Sequence, residues 1–157
     1  MFGGFHTWAN LPSFRKIFTS NEEIYDRTIK FYEKMSKLGF GPEVHSIICD
    51  NKLEIYMEYL PIKYNKNDIR KDEKEIKSLI KRLHKAGYVH GDLHGNNLAK
   101  DKYGKLKIID FDTMFTKEEW ETNPVVKEWI IGRWGDYWVK TLNRFLKYEE
   151  EIFYIFD

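Results

Sequence analysis

The sequence predicts an α+β fold in which a small antiparallel sheet and one helix precede a mainly helical second part. Two β-branched and aromatic runs, 44–49 and 53–59, flank the polar triplet Asp50-Asn51-Lys52, as in a hairpin. Residues 20–38 and 64–85 instead repeat apolar residues at helical spacing. A length of 157 residues with 42% hydrophobic content is sufficient for one globular core. We therefore predict a single domain over residues 1–157.

The composition argues against several classes of protein. The net charge of +1 is unlike that of a general polyanion binder. No apolar stretch of about eighteen residues and no basic-then-apolar N-terminus is present, which predicts neither a membrane span nor a signal peptide. The single cysteine, Cys49, follows Ile47 and Ile48 and is predicted to be a buried thiol. Together these features predict an intracellular, cytoplasmic protein that does not contact a membrane.

A strand is predicted ahead of the hairpin. Leu11-Pro12 predicts a turn, and the alternation of residues 13–19 places Phe14, Lys16 and Phe18 on one face of the strand.

The first helix is predicted from Ser20 to Leu38. Ser20 and Glu23 match a capping box, and Gly39 predicts the end of the helix. The residues predicted on its buried face are Ile24, Thr28, Phe31, Met35 and Leu38.

More helices are predicted in the second part. One is predicted from Tyr64 to Lys85, with Gly87 as the residue that stops it. The residues predicted on its buried stripe are Ile69, Ile76, Leu79, Ile80 and Leu83. Residues 63–85 carry nine Lys or Arg against four Asp or Glu, which indicates a solvated face or a docking surface.

After Asp112, a capping box of Thr116 and Glu119 predicts a short helix that Asn123-Pro124 ends. A last helix is predicted from about Gly135, with Trp138, Leu142, Phe145 and Leu146 on one face. The tryptophans Trp120, Trp129, Trp134 and Trp138 are predicted to be core residues.

Two acidic motifs carry the chemistry. Residues 89–98 read VHGDLHGNNL, with Asn97 five residues after Asp92, and Asp110 follows in IIDFD after a short predicted hairpin. Phosphoryl transfer needs an acceptor for the hydroxyl proton, and it needs magnesium on the phosphates. Carboxylate and amide oxygens suit that ion, which takes one or two carboxylates from the protein.

These motifs resemble the catalytic core of the protein-kinase-like phosphotransferases, which pair a His-x-Asp loop and its Asn with the Asp of Asp-Phe-Gly. The resemblance implies a reduced two-lobe fold, with residues 1–60 as the first lobe, a hinge near 57–61 and residues 62–157 as a minimal second lobe. It also implies that ATP and Mg2+ are the cofactors. Asp92 would then be the base, and Asn97 and Asp110 would hold the metal. His94 stands where many protein kinases carry a lysine on the γ-phosphate; alternatively, it shapes the loop through a backbone hydrogen bond.

The resemblance also implies phosphate ligands in the first lobe. Lys16 matches the strand lysine that grips the α- and β-phosphates, although Phe14 occupies the place of the usual small residue before it. Arg15, preceded by Ser13 at the same offset, is the alternative. Gly3 and Gly4 match the second half of a glycine-rich phosphate loop, or belong to a flexible tail.

The resemblance extends to the adenine site and to the first helix. Met57 would be the gatekeeper, and the backbones of Glu58 and Leu60 would hydrogen-bond adenine. Thr28 lies near the place of the helix glutamate that pairs with the strand lysine. Glu22, Glu23 and Glu33 are candidate substitutes for that glutamate, although none of them lies at its place.

His-Gly-Asp, in place of His-Arg-Asp, resembles the RIO-type atypical kinases and the aminoglycoside and choline phosphotransferases, and Asp112 after the metal aspartate is similar to the latter. Three functions remain open: an atypical Ser/Thr protein kinase, a small-molecule kinase, and a nucleotide-binding pseudokinase or assembly factor. A protein substrate is expected as partner. Nucleic acid is a further candidate through the basic 63–85 helix.

Overall fold

The computed structural model describes residues 2–9, 11–19, 24–64 and 66–134. Its strands, in chain order, are β1 (Phe2–Trp8), β2 (Leu11–Phe18), β3 (Val44–Cys49), β4 (Leu53–Glu58), β5 (Ile62–Lys63), β6 (Tyr88–Val89), β7 (Leu98–Lys100), β8 (Leu106–Ile108) and β9 (Phe115–Thr116). Its helices are α1 (Tyr25–Leu38), α2 (Lys66–Lys71), α3 (Glu73–Lys85), α4 (Lys117–Thr122) and α5 (Pro124–Trp134). The predicted α+β class is confirmed, and it is consistent with a reduced kinase-like fold.

The chain forms two compact units. The first comprises Met1–Lys63 with Leu98–Phe111, and the second comprises Tyr64–Asn97 with Asp112–Asp157. The prediction of a single domain with a hinge near 57–61 stays a prediction. Across the described ranges, no helix has the length and apolar character needed to span a membrane.

The first unit contains an antiparallel sheet in the order β1-β2-β4-β3. The predicted hairpin at residues 50–52 is confirmed, because β3 and β4 pair on either side of it. The predicted turn at Leu11-Pro12 is wrong, because both residues begin β2. Proline has no backbone N–H to donate to a neighbouring strand, and it is tolerated at the start of a strand. The chain reverses next to Ala9, whose φ is 48°.

Cys49 is exposed, so its predicted burial is wrong. The apolar run around Cys49 forms β3, which lies at the edge of the sheet and ends there. An edge strand has a neighbour on one side, so hydrophobic neighbours in sequence do not guarantee a covered side chain.

Helix α1 packs one apolar face and ends where the sequence predicts. The Gly39 N–H donates to the carbonyls of Met35 and Ser36, and its φ of 79° suits glycine. Thr28, Phe31 and Met35 are buried as predicted, whereas Leu38 is 43% exposed. Helical spacing fixes the direction of Leu38 but not whether a neighbour covers the last turn. The predicted capping pair, Ser20 and Glu23, lies outside the described residues.

A second small sheet of the first unit has the order β5-β7-β8. Its β7–β8 hairpin turns through Asp101, whose Oδ1 accepts from the N–H groups of Tyr103 and Lys105, both at 2.9 Å. The backbone N–H of Ile108 also donates to the Phe40 carbonyl at 2.8 Å. These bonds fix the end of β8, from which the chain runs directly to Asp110.

The second unit contains α2 and α3 in place of the one predicted helix. All five residues of the predicted stripe, Ile69, Ile76, Leu79, Ile80 and Leu83, are buried. The helix is interrupted at Asp72, whose Oδ2 accepts a 2.7 Å hydrogen bond from the Tyr64 hydroxyl. Burial, followed by that hydrogen bond, raises the pKa of Tyr64 above its ordinary value. Asp72 stands at the N-cap of α3, but its side chain makes no capping hydrogen bond to the first turn.

The prediction of a capped helix after Asp112 is confirmed. Thr116 and Glu119 form the capping box of α4, and α5 begins at Pro124. Trp120 is buried as predicted and Trp129 is half-buried. The side chain of Trp134, and the helix predicted from about Gly135 with Trp138, lie outside the described residues.

Candidate functional site

The first unit brings together two residues that the sequence singled out separately. The Lys16 ammonium on β2 lies 3.2 Å from Oδ1 of Asp110, although 94 residues separate them in the chain. Lys16 is 8% exposed, whereas the Asp110 side chain is 36% exposed. A buried ammonium requires compensation by polar or charged partners. This pair therefore places a fixed cation beside a carboxylate that solvent can reach.

Asp110 adopts a backbone conformation that non-glycine residues seldom occupy. Its φ is 64°, which costs energy for most side chains and is tolerated best by Asp and Asn. Packing of the next residue supports it: Phe111 is 2% exposed, and a Cβ placed on Gly41 would lie 2.6 Å from the tip of its ring. Gly41 thus provides the space that Phe111 needs, and Phe111 fixes the segment that carries Asp110.

Tyr32 is a site residue that the sequence analysis missed. Its hydroxyl accepts a 2.7 Å hydrogen bond from the Lys16 ammonium. Glu33 is exposed, Thr28 is buried, and Glu22 and Glu23 lie outside the described residues. Helical spacing was a usable signal, because Tyr32 follows Thr28 by four residues and precedes Met35 by three.

The glycine-rich segment and the alternative cation also lie in the sheet. Gly3 and Gly4 belong to β1 and pair with Lys16 and Arg15, so they are not a flexible tail, and a phosphate contact by these glycines stays a prediction. Arg15 has a side chain that is 39% exposed, and it lies 3.9 Å from Glu54. Of the two candidate cations, Lys16 is therefore the one beside Asp110.

The residues predicted around adenine lie at the end of β4 and directly after it. Met57 is 5% exposed and pairs in register with Phe14, and Leu60 is 3% exposed. The N–H of Glu58 already donates to the Glu43 carbonyl at 2.8 Å. An adenine contact at Glu58 would therefore use its carbonyl oxygen.

The second unit holds the predicted catalytic loop in a defined shape. The Asn97 side-chain amide donates to the backbone carbonyl of Asp92 at 2.7 Å, and the Asp92 N–H donates to Nδ1 of His90 at 3.2 Å. Asn97 is 5% exposed. Its nitrogen is thus engaged within the loop, and its oxygen is the atom suited to a cation. The carboxylate of Asp92 is not needed for these loop bonds and is 34% exposed.

Gly91 explains why the loop reads His-Gly-Asp. Its φ is 86°, and a Cβ at this position would lie 2.7 Å from the Thr113 carbonyl oxygen. The Thr113 hydroxyl in turn donates to the His90 carbonyl at 2.9 Å. A side chain at Gly91 would have to displace this backbone contact, so a larger residue does not fit here without a backbone shift.

Replacing Gly91 with alanine should lower the free energy of unfolding by about 2–4 kcal/mol, the sum of the positive-φ cost and the steric displacement. Gly87→Ala is the matched control, because Gly87 has a φ of 90° and no atom within 4 Å of an added Cβ. It should lose about 1–2 kcal/mol. Denaturant titration measures the free energy of unfolding of both variants. Equal losses would show that the backbone at Thr113 moves away from an added Cβ at no energetic cost.

His94 makes the backbone hydrogen bond expected of a loop-shaping residue. Its Nδ1 accepts from the Asn96 N–H at 3.2 Å, so the neutral imidazole carries its proton on Nε2. That nitrogen lies 3.7 Å from Oδ2 of Asp92 and 3.3 Å from the Asn97 amide nitrogen. In this tautomer Nε2 is a donor, so it does not accept a hydrogen bond from the Asn97 amide. A phosphate contact by His94 stays a prediction.

Within the described ranges, no three His, Cys, Asp or Glu side chains cluster as ligands of a metal ion. The donor set predicted for magnesium is of another kind, consisting of one carboxylate, one amide oxygen and the phosphates themselves. Magnesium usually keeps several waters and relies on substrate phosphates in such sites. Asp110 and Asn97 have the hard oxygen atoms that this chemistry requires.

Comparison with known proteins gives partial matches. A family model described as Seadornavirus VP7 matches residues 53–128, just under half of the chain. The dual specificity protein kinase zak2 of Dictyostelium discoideum is 36% identical over 77 residues, which cover 45% of this chain and 12% of that kinase. The serine/threonine-protein kinase CLA4 of Candida albicans is 34% identical over 77 residues, covering 41% of this chain and 8% of that protein.

The mitogen-activated protein kinase kinase kinase YODA of Arabidopsis thaliana is 33% identical over 73 residues, or 40% of this chain and 8% of that kinase. The chain thus spans about a tenth of the length of the curated relatives it matches. These matches support a kinase-like relationship. The family-model match also contains Asp92, Asn97 and Asp110.

Proposed function

We propose that this chain is an ATP-dependent phosphotransferase, and that it acts as an atypical Ser/Thr protein kinase. In this proposal Asp92 is the base, Asn97 and Asp110 hold magnesium, and Lys16 binds the phosphates of ATP. The observation that carries the proposal is the 3.2 Å contact of Lys16 with Asp110. A strand lysine and a strand-end aspartate, each chosen for a role at the phosphates, meet across 94 residues of chain.

The proposed residues divide the work of phosphoryl transfer. Asp92 accepts the proton of the substrate hydroxyl while that oxygen forms a bond to the γ-phosphorus and the bond to the ADP oxygen breaks. Magnesium, when bound, neutralises charge on the phosphates. Lys16 adds a positive charge that is held in place before the reaction, so little reorganisation is needed.

Two alternatives keep specific support. The tyrosine that contacts Lys16, in place of an acid, favours a nucleotide-binding pseudokinase or assembly factor. Asp112, two residues after Asp110, favours a small-molecule kinase of the aminoglycoside or choline type. Binding of nucleic acid by the basic residues of α2 and α3, and an intracellular location, stay predictions.

Incubation of the whole chain with γ-labelled ATP tests the proposal. We expect label on the chain itself or on a generic protein substrate such as casein, in the presence of magnesium and not after chelation. Labelling of choline or an aminoglycoside with no protein labelling would indicate the small-molecule alternative. Mg-ATP binding without transfer to any acceptor would indicate the pseudokinase.

His94 gives a finer test of the same reaction. If its Nε2 proton contacts the transferring phosphate, His94→Ala should lower kcat/KM roughly tenfold or more, about 1.4 kcal/mol, while His94→Lys keeps turnover. If His94 acts through its bond to the Asn96 N–H, lysine should fail as well. Steady-state kinetics separates these outcomes, and wild-type turnover in the alanine variant would refute the phosphate role.

A further inference from the structure

Tyr32 joins two segments that the proposed function places at the phosphates. Its hydroxyl accepts from the Lys16 ammonium at 2.7 Å and from the backbone N–H of Phe111 at 3.4 Å. A phenolic oxygen has two acceptor positions, so both contacts can form together. One atom of α1 thus contacts the strand lysine and the residue that directly follows Asp110.

The ring of Tyr32 is fixed as firmly as its hydroxyl. Tyr32 is 2% exposed, and its ring meets the Phe111 ring edge-on with centroids 5.2 Å apart. The Phe18 ring approaches it edge-on from β2 at 6.1 Å. The Lys16 ammonium lies 5.4 Å from the Tyr32 centroid, within the range of a cation–π contact. The position of the hydroxyl is therefore set by packing, before any ligand binds.

A neutral partner has a consequence for the charge of Lys16. A glutamate at this place would bring a full negative charge to the ammonium and reduce the positive potential that it offers to phosphate. A tyrosine hydroxyl orients the ammonium through a hydrogen bond and adds no negative charge to that of Asp110. It also accepts from Phe111, and so ties the position of Lys16 to that of Asp110.

We propose that Tyr32 is the positioning residue that holds Lys16 and the Asp110-Phe111 segment in register for binding the phosphates of ATP. This inference rests on the proposed function. It assigns to a tyrosine of α1 a part in holding the strand lysine. Tyr32 acts through Lys16 and Phe111, without touching the nucleotide.

Tyr32→Phe removes the hydroxyl and keeps the ring. The matched control is Tyr25→Phe, because Tyr25 lies in the same helix, is 4% exposed and donates a 2.8 Å hydrogen bond to the Phe18 carbonyl. Each variant should lose stability by the cost of a buried hydrogen bond, which thermal melts will compare. Tyr32→Phe should in addition raise the KM for ATP roughly tenfold with kcat little changed, since Lys16 binds the phosphates before and during transfer. Tyr25→Phe should leave both constants near wild type.

A second readout needs no nucleotide. Acylation of Lys16 by an amine-reactive ester, followed by mass spectrometry, should be several-fold faster in Tyr32→Phe than in wild type or Tyr25→Phe. Equal KM values in the two variants would overturn the positioning role, whatever the acylation rates. A wild-type chain that neither binds nor uses Mg-ATP would instead contradict the proposed function. In that case, faster acylation in Tyr32→Phe would still show that the Tyr32 hydroxyl restrains the Lys16 ammonium through their hydrogen bond.

Discussion

Replacing Asp110 with asparagine should weaken magnesium-dependent ATP binding roughly hundredfold or more, about 2.7 kcal/mol, while the chain still folds. The substitution removes the negative charge of the carboxylate that is proposed to bind magnesium, and it keeps the size of the side chain. Asparagine also tolerates the φ of 64° at this position, whereas alanine would add a backbone cost of its own. Asn is therefore a cleaner test than Ala.

Fluorescence or calorimetric titration with ATP, with and without magnesium, measures this effect. The expected signature is a loss of the magnesium-dependent part of the affinity. Asp50→Asn is the charge-matched control, since Asp50 is exposed in the turn between β3 and β4. A magnesium titration of Asp110→Asn that superimposes on wild type would remove Asp110 from the metal site.

The stability of Asp110→Asn needs its own measurement. The carboxylate accepts from buried Lys16, but it is 36% exposed, so solvent screens much of the pair. The asparagine oxygen can still accept that hydrogen bond. We expect a loss of at most about 1–2 kcal/mol, the scale of a weakened charged hydrogen bond. A larger loss would mean that Lys16 depends on the charge of Asp110 for its burial.

Local patterns in the sequence predicted the parts of the fold that local chemistry decides. The end of α1 at Gly39 and the capping box of Thr116 and Glu119 depend on residues within one helical turn, and both are confirmed. Exposure of Cys49 was missed because it depends on which strand lies at the sheet edge. That order results from pairing between distant segments, which a local pattern does not contain.

The candidate site shows the same division. The kinase resemblance singled out Lys16, and motif spacing singled out Asp110. The two side chains lie 3.2 Å apart in the first unit. The kinase resemblance predicts a glutamate on α1 as the partner of Lys16. Tyr32, on the buried face, reaches the ammonium, whereas Glu33 lies on the exposed face. Which side chain contacts a buried charge depends on the direction in which it leaves the helix and on its length. Residue type alone does not predict it.

Asp92→Asn should lower kcat by roughly 10²–10⁴-fold, the range that a positioned base contributes, with little change in the KM for ATP. The loop itself should survive, because it is held by the backbone of Asp92. The Asn97 amide bonds to the Asp92 carbonyl, and the Asp92 N–H bonds to His90. The side chain is partly exposed and can lose its charge at small cost to stability, within about 0.5 kcal/mol.

The transfer assay with γ-labelled ATP measures kcat at saturating ATP, and the Asp50→Asn variant again controls for the loss of one acidic charge. The asparagine side chain cannot accept the hydroxyl proton, although it keeps the shape of the aspartate. A lower kcat at an unchanged KM for ATP would therefore assign proton acceptance to Asp92, because the loss of a nucleotide contact would raise that KM. If Asp92→Asn transfers phosphate at the wild-type rate, the base is another group and the catalytic assignment of this loop is wrong.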